Sequence, residues 1–435
     1  MTAVSAAADP ATRVKSHAST VGEHGYPHGH LGHLSETEEA QLDAFKTLLT
    51  EKGLYKPGPP ASHDDATLLR YLRARKWVPE DAFTQFKETE EWRVASDLDT
   101  LYRTIELDAY EQSRRLYPQW TGRRDRRGIP LYLYEIKHLD NKTIANYEKS
   151  GKDSTFSKAK WDGKTPTGLL RLFALYENLT RFTQPFATQL QDREHPAAPI
   201  TLSTNIVDIS GVSLKQFWNL KGHMQSASQL ATAHYPETLD RIFIIGAPVF
   251  FSTVWGWVKR WFDPITVSKI FILSPHEVLP TLEQFVDRRN IPKKYGGELD
   301  FSWGDQATVD PAWDGVVQWA DGHSCFKSRP AFWRVTDDGS RVECFGIGSV
   351  DGKEQNELIC SVPRTWPPAQ TEKANGAAPE VANGVVTEGT QTESVKTADT
   401  TNEDFSKLSI SDTKEILEKH TNGSTASPPL PATVA

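Results

Sequence analysis

The residues able to make or break bonds are present in this chain, but not at spacings that assemble them into a reaction centre. A nucleophilic serine on a strand-to-helix elbow needs Gly-x-Ser-x-Gly, and no such pentapeptide occurs. Gly163-Lys164-Thr165 ends like a phosphate-cradling loop, yet position 158, where that loop needs glycine, is Lys158. His276-Glu277 lacks the second histidine that a zinc-protease helix places four residues on. No Gly-x-Gly-x-x-Gly opens a helix after a strand. Cys325, Cys344 and Cys360 show no Cys-x-x-Cys spacing, which excludes a disulfide framework and a cysteine zinc site and suits a reducing cytosol. His24, His28, His30 and His33 have two readings, a metal site or a polar tract. Interleaved glycines and the lack of carboxylate ligands favour the tract. No nucleophile–base pair stands out, so the expectation is a protein that is not an enzyme, with neither metal nor cofactor.

The chemistry that remains is apolar. Between Arg241 and Lys259 lie 17 uncharged residues, IFIIGAPVFFSTVWGWV. A spanning helix needs about 20 apolar residues, and Ala247-Pro248 divides this run into a strand-like half and a helical half. If helical, VFFSTVWGWVKRWF is apolar on nearly every side, and such a helix must be buried or face lipid. An ordinary core helix is one reading. Phe250, Phe251, Trp255, Trp257, Trp261 and Phe262 make an unusually aromatic core segment, whereas Trp and Phe suit a membrane interface. Lys259 and Arg260 stand where cations favour a helix C-terminus and can meet anionic headgroups.

Around this segment the elements alternate. Residues 1–34, rich in Ala, Ser, Gly and His, read as a flexible arm. Helical signals begin at Ser35, with Glu38 completing a capping box and Leu42, Phe45, Leu48 and Leu49 on one face. A second helix follows in HDDATLLRYLRARKW, with Leu68, Leu69 and Leu72 on one side and Arg70, Arg73, Arg75 and Lys76 mostly on the other. A third runs from about Pro79 to Val94. The period then changes. Strands are expected at 129–137, 199–210, 241–248 and 268–273, with helices at 167–182 and around 213–233, giving an α/β domain with a largely parallel sheet. Before the first strand, TGRRDRRG reads as a turn. Residues 311–362 carry Asp-Gly turn signals between short β-like runs, a β-rich extension. After it comes a disordered acidic tail from 363 to 435.

The motifs DDATLLRYLRARKW, YPQW, YPETLDRIFIIGAP and FDPITVSKIFIL followed by IPKKYGG resemble the CRAL-TRIO family. Within it the chain is most similar to the fungal phosphatidylinositol/phosphatidylcholine transfer proteins of the secretory pathway, over about 35–300. The resemblance implies a helical N-terminal lobe (35–105) and an α/β lobe (106–310). In the second, a mixed, largely parallel sheet floors an apolar lipid pocket closed by a gate helix. By the same resemblance, Arg75, Glu237 and Lys269 occupy the phosphatidylinositol headgroup positions. Two cations and an acceptor suit phosphate and inositol hydroxyls through charge-assisted hydrogen bonds.

The phosphatidylcholine signature is only partly kept. Tyr132, Tyr176 and Ser203 match it, but Thr121 stands where a tyrosine is expected and Asn205 where a threonine is expected. Losing an aromatic removes a wall that could hold choline by cation–π contact. Each of these residues also has a reading as plain packing or a structural salt bridge.

The implied activity is exchange of one phosphatidylinositol, with a second lipid alongside, between membranes. A gate comprising Phe250, Phe251, Val254, Trp255, Trp257, Val258, Trp261 and Phe262 meets the bilayer. A monomer in the cytoplasm, peripherally associated with Golgi or endosomal membranes, is the expected state. A carrier of a sterol or terpenoid, and a lipid-sensing scaffold without net transfer, are the rival readings. Charge agrees with this. The chain carries 49 Lys+Arg against 57 Asp+Glu, a net −8 that argues against a nucleic-acid partner. Five Lys against ten Asp/Glu after Trp366 supply −5 of it, so the folded part is nearly balanced and free to approach an anionic surface.

Overall fold

A computed structural model describes residues 25–251, 255–256, 259–261 and 267–367. His24, the arm before it and the tail from residue 368 lie outside the described residues. The described part falls within one compact unit.

Chain segment 25–34 departs from the expected flexible arm. It forms a string of turns in which Tyr26 and His30 are each only 4% exposed. The Tyr26 hydroxyl donates to the Ala198 carbonyl, and the Arg73 guanidinium donates to the Gly29 carbonyl at 2.8 Å. Local composition predicts disorder because it cannot register such distant partners.

Three helices follow: α1 (Glu36–Glu51), α2 (Asp65–Ala74) and α3 (Pro79–Ala95). Helix α1 starts as the capping box requires, with the Glu38 carboxylate accepting from the Ser35 N–H and the Ser35 hydroxyl accepting from the Glu38 N–H. Leu42, Phe45 and Leu49 of α1 meet Leu68, Leu69, Leu72, Ala82 and Phe86 in one core. Arg70, expected on the outer face, is buried, and its Nε donates to the Pro236 carbonyl at 2.9 Å. Two short helices, α4 (Leu98–Thr104) and α5 (Leu107–Arg114), lead into the sheet.

The central sheet has β1 (Gln119–Arg124), β2 (Pro130–Glu135), β3 (Ser203–Asp208), β4 (Leu239–Ile245) and β5 (Ile270–Leu273) in that spatial order. Only β1–β2 is antiparallel. Strand β1 takes up the first half of the predicted turn TGRRDRRG, leaving 125–128 for the reversal. Gly122 explains how this Arg-rich strand persists. It holds φ +88°, its carbonyl accepts from the Asp310 N–H, and a Cβ there would lie 2.2 Å from the Thr308 carbonyl oxygen.

Helices α6 (Asn141–Ser150), α7 (Thr167–Asn178), the short α8 (Gln184–Thr188) and α9 (Leu214–His234) intervene, and α10 (Val278–Phe285) follows the sheet. A π turn at 179–183 joins α7 to α8. Alternation along the strands separates two faces. Leu131, Leu133, Ile206, Phe243, Ile245, Phe271 and Leu273 pack beneath, against α10. At the strands' C-terminal ends the Lys294 ammonium bridges the paired Glu135 and Asp208 carboxylates at 2.7 Å each. That bridge gives Lys294, the second lysine of IPKKYGG, a structural task.

The β-rich extension forms a second sheet, antiparallel and ordered β6 (Gln318–Trp319), β9 (Lys353–Pro363), β8 (Arg341–Val350) and β7 (Ala331–Val335). Its inner aromatics do not form a separate core. Trp313, Phe326 and Trp333 join Phe182 and Phe186 from the α7–α8 region, with Phe186 stacked on Trp313 at 4.1 Å between ring centroids.

Candidate functional site

The upper face of the central sheet floors a cavity of about 620 Å³. Register explains which residues reach it. Trp120, Tyr132, Asn205, Ile242 and Ile270 are paired in one row across all five strands, and every one lines the cavity. Opposite the floor stands α9. Of its 21 residues only Leu220 is fully buried, because Phe217, Met224, Ala227 and Ala231 line the cavity instead of meeting a packed core.

Arg75, Glu237 and Lys269, from three distant segments, all line this cavity. Arg75 is the residue ending α2 and is exposed. Glu237 lies in the turn between α9 and β4, and Lys269 immediately precedes β5. The Lys269 ammonium donates to the Glu237 carboxylate at 3.3 Å and to the Leu239 carbonyl at 3.2 Å. Glu237 adopts φ +53°, a left-handed conformation that side-chain-bearing residues avoid. Two contacts brace that turn from below. Arg70 holds the Pro236 carbonyl, and the Gln85 amide donates to the Thr232 and Ala233 carbonyls, which the end of α9 would otherwise leave unpaired.

Tyr132, Tyr176, Ser203 and Asn205 also line the cavity, and the polar atoms of Tyr132, Ser203 and Asn205 face protein partners. The Tyr132 hydroxyl donates to Thr183 Oγ1 at 3.1 Å, and Ser203 Oγ donates to the Thr238 carbonyl at 3.1 Å. Asn205 Nδ2 donates to Ser203 Oγ at 3.1 Å. Tyr176 packs on Tyr235 and Phe173, and burial pushes its hydroxyl up to about 12. Thr121 does not line the cavity. It is one residue out of the upward row, so it points to the lower face, where its hydroxyl donates to the Leu131 carbonyl. Its neighbour Trp120 supplies an aromatic wall.

The residues expected to form a gate divide. Phe250, Phe251 and Trp255 line the cavity, with the Phe251 and Trp255 rings stacked at 6.1 Å. Val254, Trp257, Val258, Phe262 and the Trp261 side chain lie outside the described residues. Sequence reasoning missed several lining groups, among them Lys76, Arg114, Trp120 and the segment Phe326–Arg329. The YPQW motif marks Trp120. No local signal marks Phe326–Arg329, whose position depends on a second sheet docking near the first.

Among the described residues, no cluster of three or more His, Cys, Asp or Glu side chains is placed to hold a metal ion. Nor, among them, is any helix long and apolar enough to cross a membrane.

Comparison with known proteins matches this architecture. The CRAL/TRIO N-terminal domain profile matches residues 31–88, and the CRAL/TRIO domain profile matches 114–297. The CRAL-TRIO domain-containing protein YKL091C of Saccharomyces cerevisiae is 31% identical over 275 residues, 62% of this chain and 80% of that one. SEC14 cytosolic factor of Eremothecium gossypii is 28% identical over 274 residues, 63% of this chain and 80% of that one. Phosphatidylinositol/phosphatidylcholine transfer protein SFH7 of Arabidopsis thaliana is 29% identical over 264 residues, 59% of this chain and 43% of that one. With a helical lobe ahead of a largely parallel sheet, a cavity on that sheet and matches spanning both parts, the chain belongs to the CRAL/TRIO family.

Proposed function

We propose that this protein is a phospholipid transfer protein that takes one phosphatidylinositol, and a second lipid in alternation or alongside, and exchanges it between membranes without covalent chemistry. The observation that carries the reading is the convergence of Arg75, Glu237 and Lys269 on one apolar cavity. Such a cavity replaces the bilayer as solvent for acyl chains, each buried methylene contributing about 0.8 kcal/mol. Arg75 and Lys269 then face the phosphate and inositol hydroxyls. Glu237 accepts from hydroxyls and holds the Lys269 ammonium in place. Names of relatives support the class: phosphatidylinositol/phosphatidylcholine transfer is what the Arabidopsis proteins are called.

In this reading the segment from Val249 onward opens on the membrane. Val249 is 93% exposed, next to the cavity-lining Phe250 and Phe251. The protein works from the cytoplasm as a monomer and visits Golgi or endosomal surfaces. Transfer of labelled phosphatidylinositol between vesicles tests the site. Lys269→Ala and Glu237→Ala are expected to abolish it with the fold intact by circular dichroism. Unchanged transfer in both variants overturns the headgroup assignment.

A further inference from the structure

The cavity is not completed by the family's own domains. Its wall on the β1 side is supplied by Phe326–Arg329, from the loop that precedes β7 in the C-terminal sheet and beyond the region matched by the family profiles. The Phe326 ring lies 6.3 Å from Trp120 and 4.9 Å from Phe182, which anchors this loop against strand β1 and the π turn. Lys269 precedes β5, at the opposite edge of the sheet. Four strand spacings, about 19 Å, separate the two edges. One cavity therefore has polar groups at two ends with apolar side chains between them.

The charge of the lining is one-sided. Arg75, Lys76, Arg114, Lys269, Lys327 and Arg329 contribute cations, and Glu237 is the only carboxylate among the described lining residues. Three of those cations stand on the β1 side. Arg114 is held by Glu111 and by the Gly304 and Asp305 carbonyls, so it is fixed in place. Lys327 is exposed and has no carboxylate within ion-pair distance among the described residues. Arg329 is only 8% exposed. One of its terminal nitrogens pairs with Glu357 at 2.6 Å, while the other, Nη2, is buried without an acceptor. Trp120 Nε1 on the same wall is likewise buried without an acceptor. A buried donor without a partner costs about 1–3 kcal/mol, more when charged. Such donors suit an oxyanion. They do not suit a quaternary ammonium, which offers no acceptor and is repelled by the nearby cations.

We propose that Phe326–Arg329 makes the β1 end of the cavity a second polar subsite, taking the oxyanion of an acyl-chain ligand that carries no cationic headgroup. A phosphate monoester on a diacylglycerol and the carboxylate of a fatty acid share that chemistry. The inference rests on the lipid-pocket reading above and names the class of its second ligand. It also fits the partial choline signature, in which the Tyr132 and Ser203 hydroxyls and the Asn205 amide are engaged with protein partners.

The test uses the full chain, incubated with phosphatidylcholine vesicles containing phosphatidylinositol and either phosphatidic acid or oleate. Protein-bound lipids are then extracted and quantified by mass spectrometry. The wild type is expected to take up one of the anionic lipids in preference to phosphatidylcholine, and the two arms tell which source supplies the oxyanion. Lys327→Glu and Arg329→Met are each expected to lower that uptake about tenfold, as loss of one charge-assisted hydrogen bond implies. Phosphatidylinositol uptake is the internal reference. Lys327 is exposed, so its variant remains informative even where Arg329→Met destabilises the second sheet. Undiminished uptake of the anionic lipid in a folded Lys327→Glu and Arg329→Met, or phosphatidylcholine as the sole co-ligand of the wild type, overturns the subsite. Absence of phosphatidylinositol from the wild type overturns the headgroup reading instead.

Discussion

The Tyr102 hydroxyl engages both backbone groups of Ala331: it donates to the carbonyl at 2.6 Å and accepts from the N–H at 2.9 Å. Tyr102 belongs to α4 and Ala331 begins β7, the edge strand of the C-terminal sheet. Tyr102 thus satisfies the first residue of the edge strand, sharing its N–H with Asn178, and ties the extension to the helices before the central sheet. Tyr102→Phe keeps the ring and removes the hydroxyl. The N–H retains Asn178 Oδ1 at 3.2 Å, but the carbonyl loses its hydrogen bond to Tyr102. We expect a loss of about 1–3 kcal/mol in urea unfolding. A variant as stable as the wild type would show that the extension is held by its aromatic core alone.

Glu177 on α7 is buried and accepts from Arg93, Arg181 and the Tyr235 hydroxyl. Burial by itself raises a carboxyl, yet the two guanidiniums and the hydroxyl more than reverse it and bring Glu177 to about 2. The folded value lies below the unfolded one near 4.3. Its stabilisation, on the order of 3 kcal/mol, is therefore complete above about pH 5 and is lost as pH falls towards 2. Glu177→Gln should flatten that acid slope in a stability-versus-pH series and destabilise the protein at neutral pH by about 3 kcal/mol, since two cations lose their counter-charge. An unchanged slope would mean that other carboxylates govern the acid limb.

Glu237 combines a cavity-lining side chain, the proposed headgroup acceptor, with a strained backbone. At φ +53° a non-glycine residue costs about 1–2 kcal/mol. Glu237→Gly and Glu237→Ala both delete the carboxylate, and both should lose phosphatidylinositol loading. Thermal unfolding should nonetheless rank the glycine variant above the alanine variant by about 1 kcal/mol. The reverse order would show that the turn relaxes in solution.

Gly122 has no such freedom to change. Any Cβ at φ +88° meets the Thr308 backbone, which is itself bonded to Thr121 through its N–H. Gly122→Ala should cost more than about 2 kcal/mol by denaturant unfolding, because a strained dihedral and a backbone clash add. Lipid loading should fall with it, since the same strand carries Trp120. A near-neutral variant would show that the 304–310 segment shifts easily.

Much of the architecture is legible in the chain itself. The capping box at Ser35, the leucine face of α2 and the alternating apolar runs of β2 to β5 depend on spacing that is local, and local spacing survives folding. The family motifs carry Arg75, Glu237 and Lys269 as separate residues. Their convergence on one cavity is a matter of topology, because β4 and β5 lie side by side and α2 braces the turn between α9 and β4.

Other features depended wholly on tertiary structure. Spacing could not show that Trp120, rather than Thr121, faces the cavity. A one-residue step reverses a strand's faces, and only pairing with Tyr132 sets the phase. Nor could composition show that Tyr26 and His30 are buried, that Arg70 points inward, or that Arg329 reaches the cavity wall. Each of those placements rests on partners more than 150 residues away or on the docking of a second sheet, and local sequence carries no signal for such contacts. Residue types thus specify an apolar container and the charged residues that converge on it. Register and docking decide which atoms line its walls.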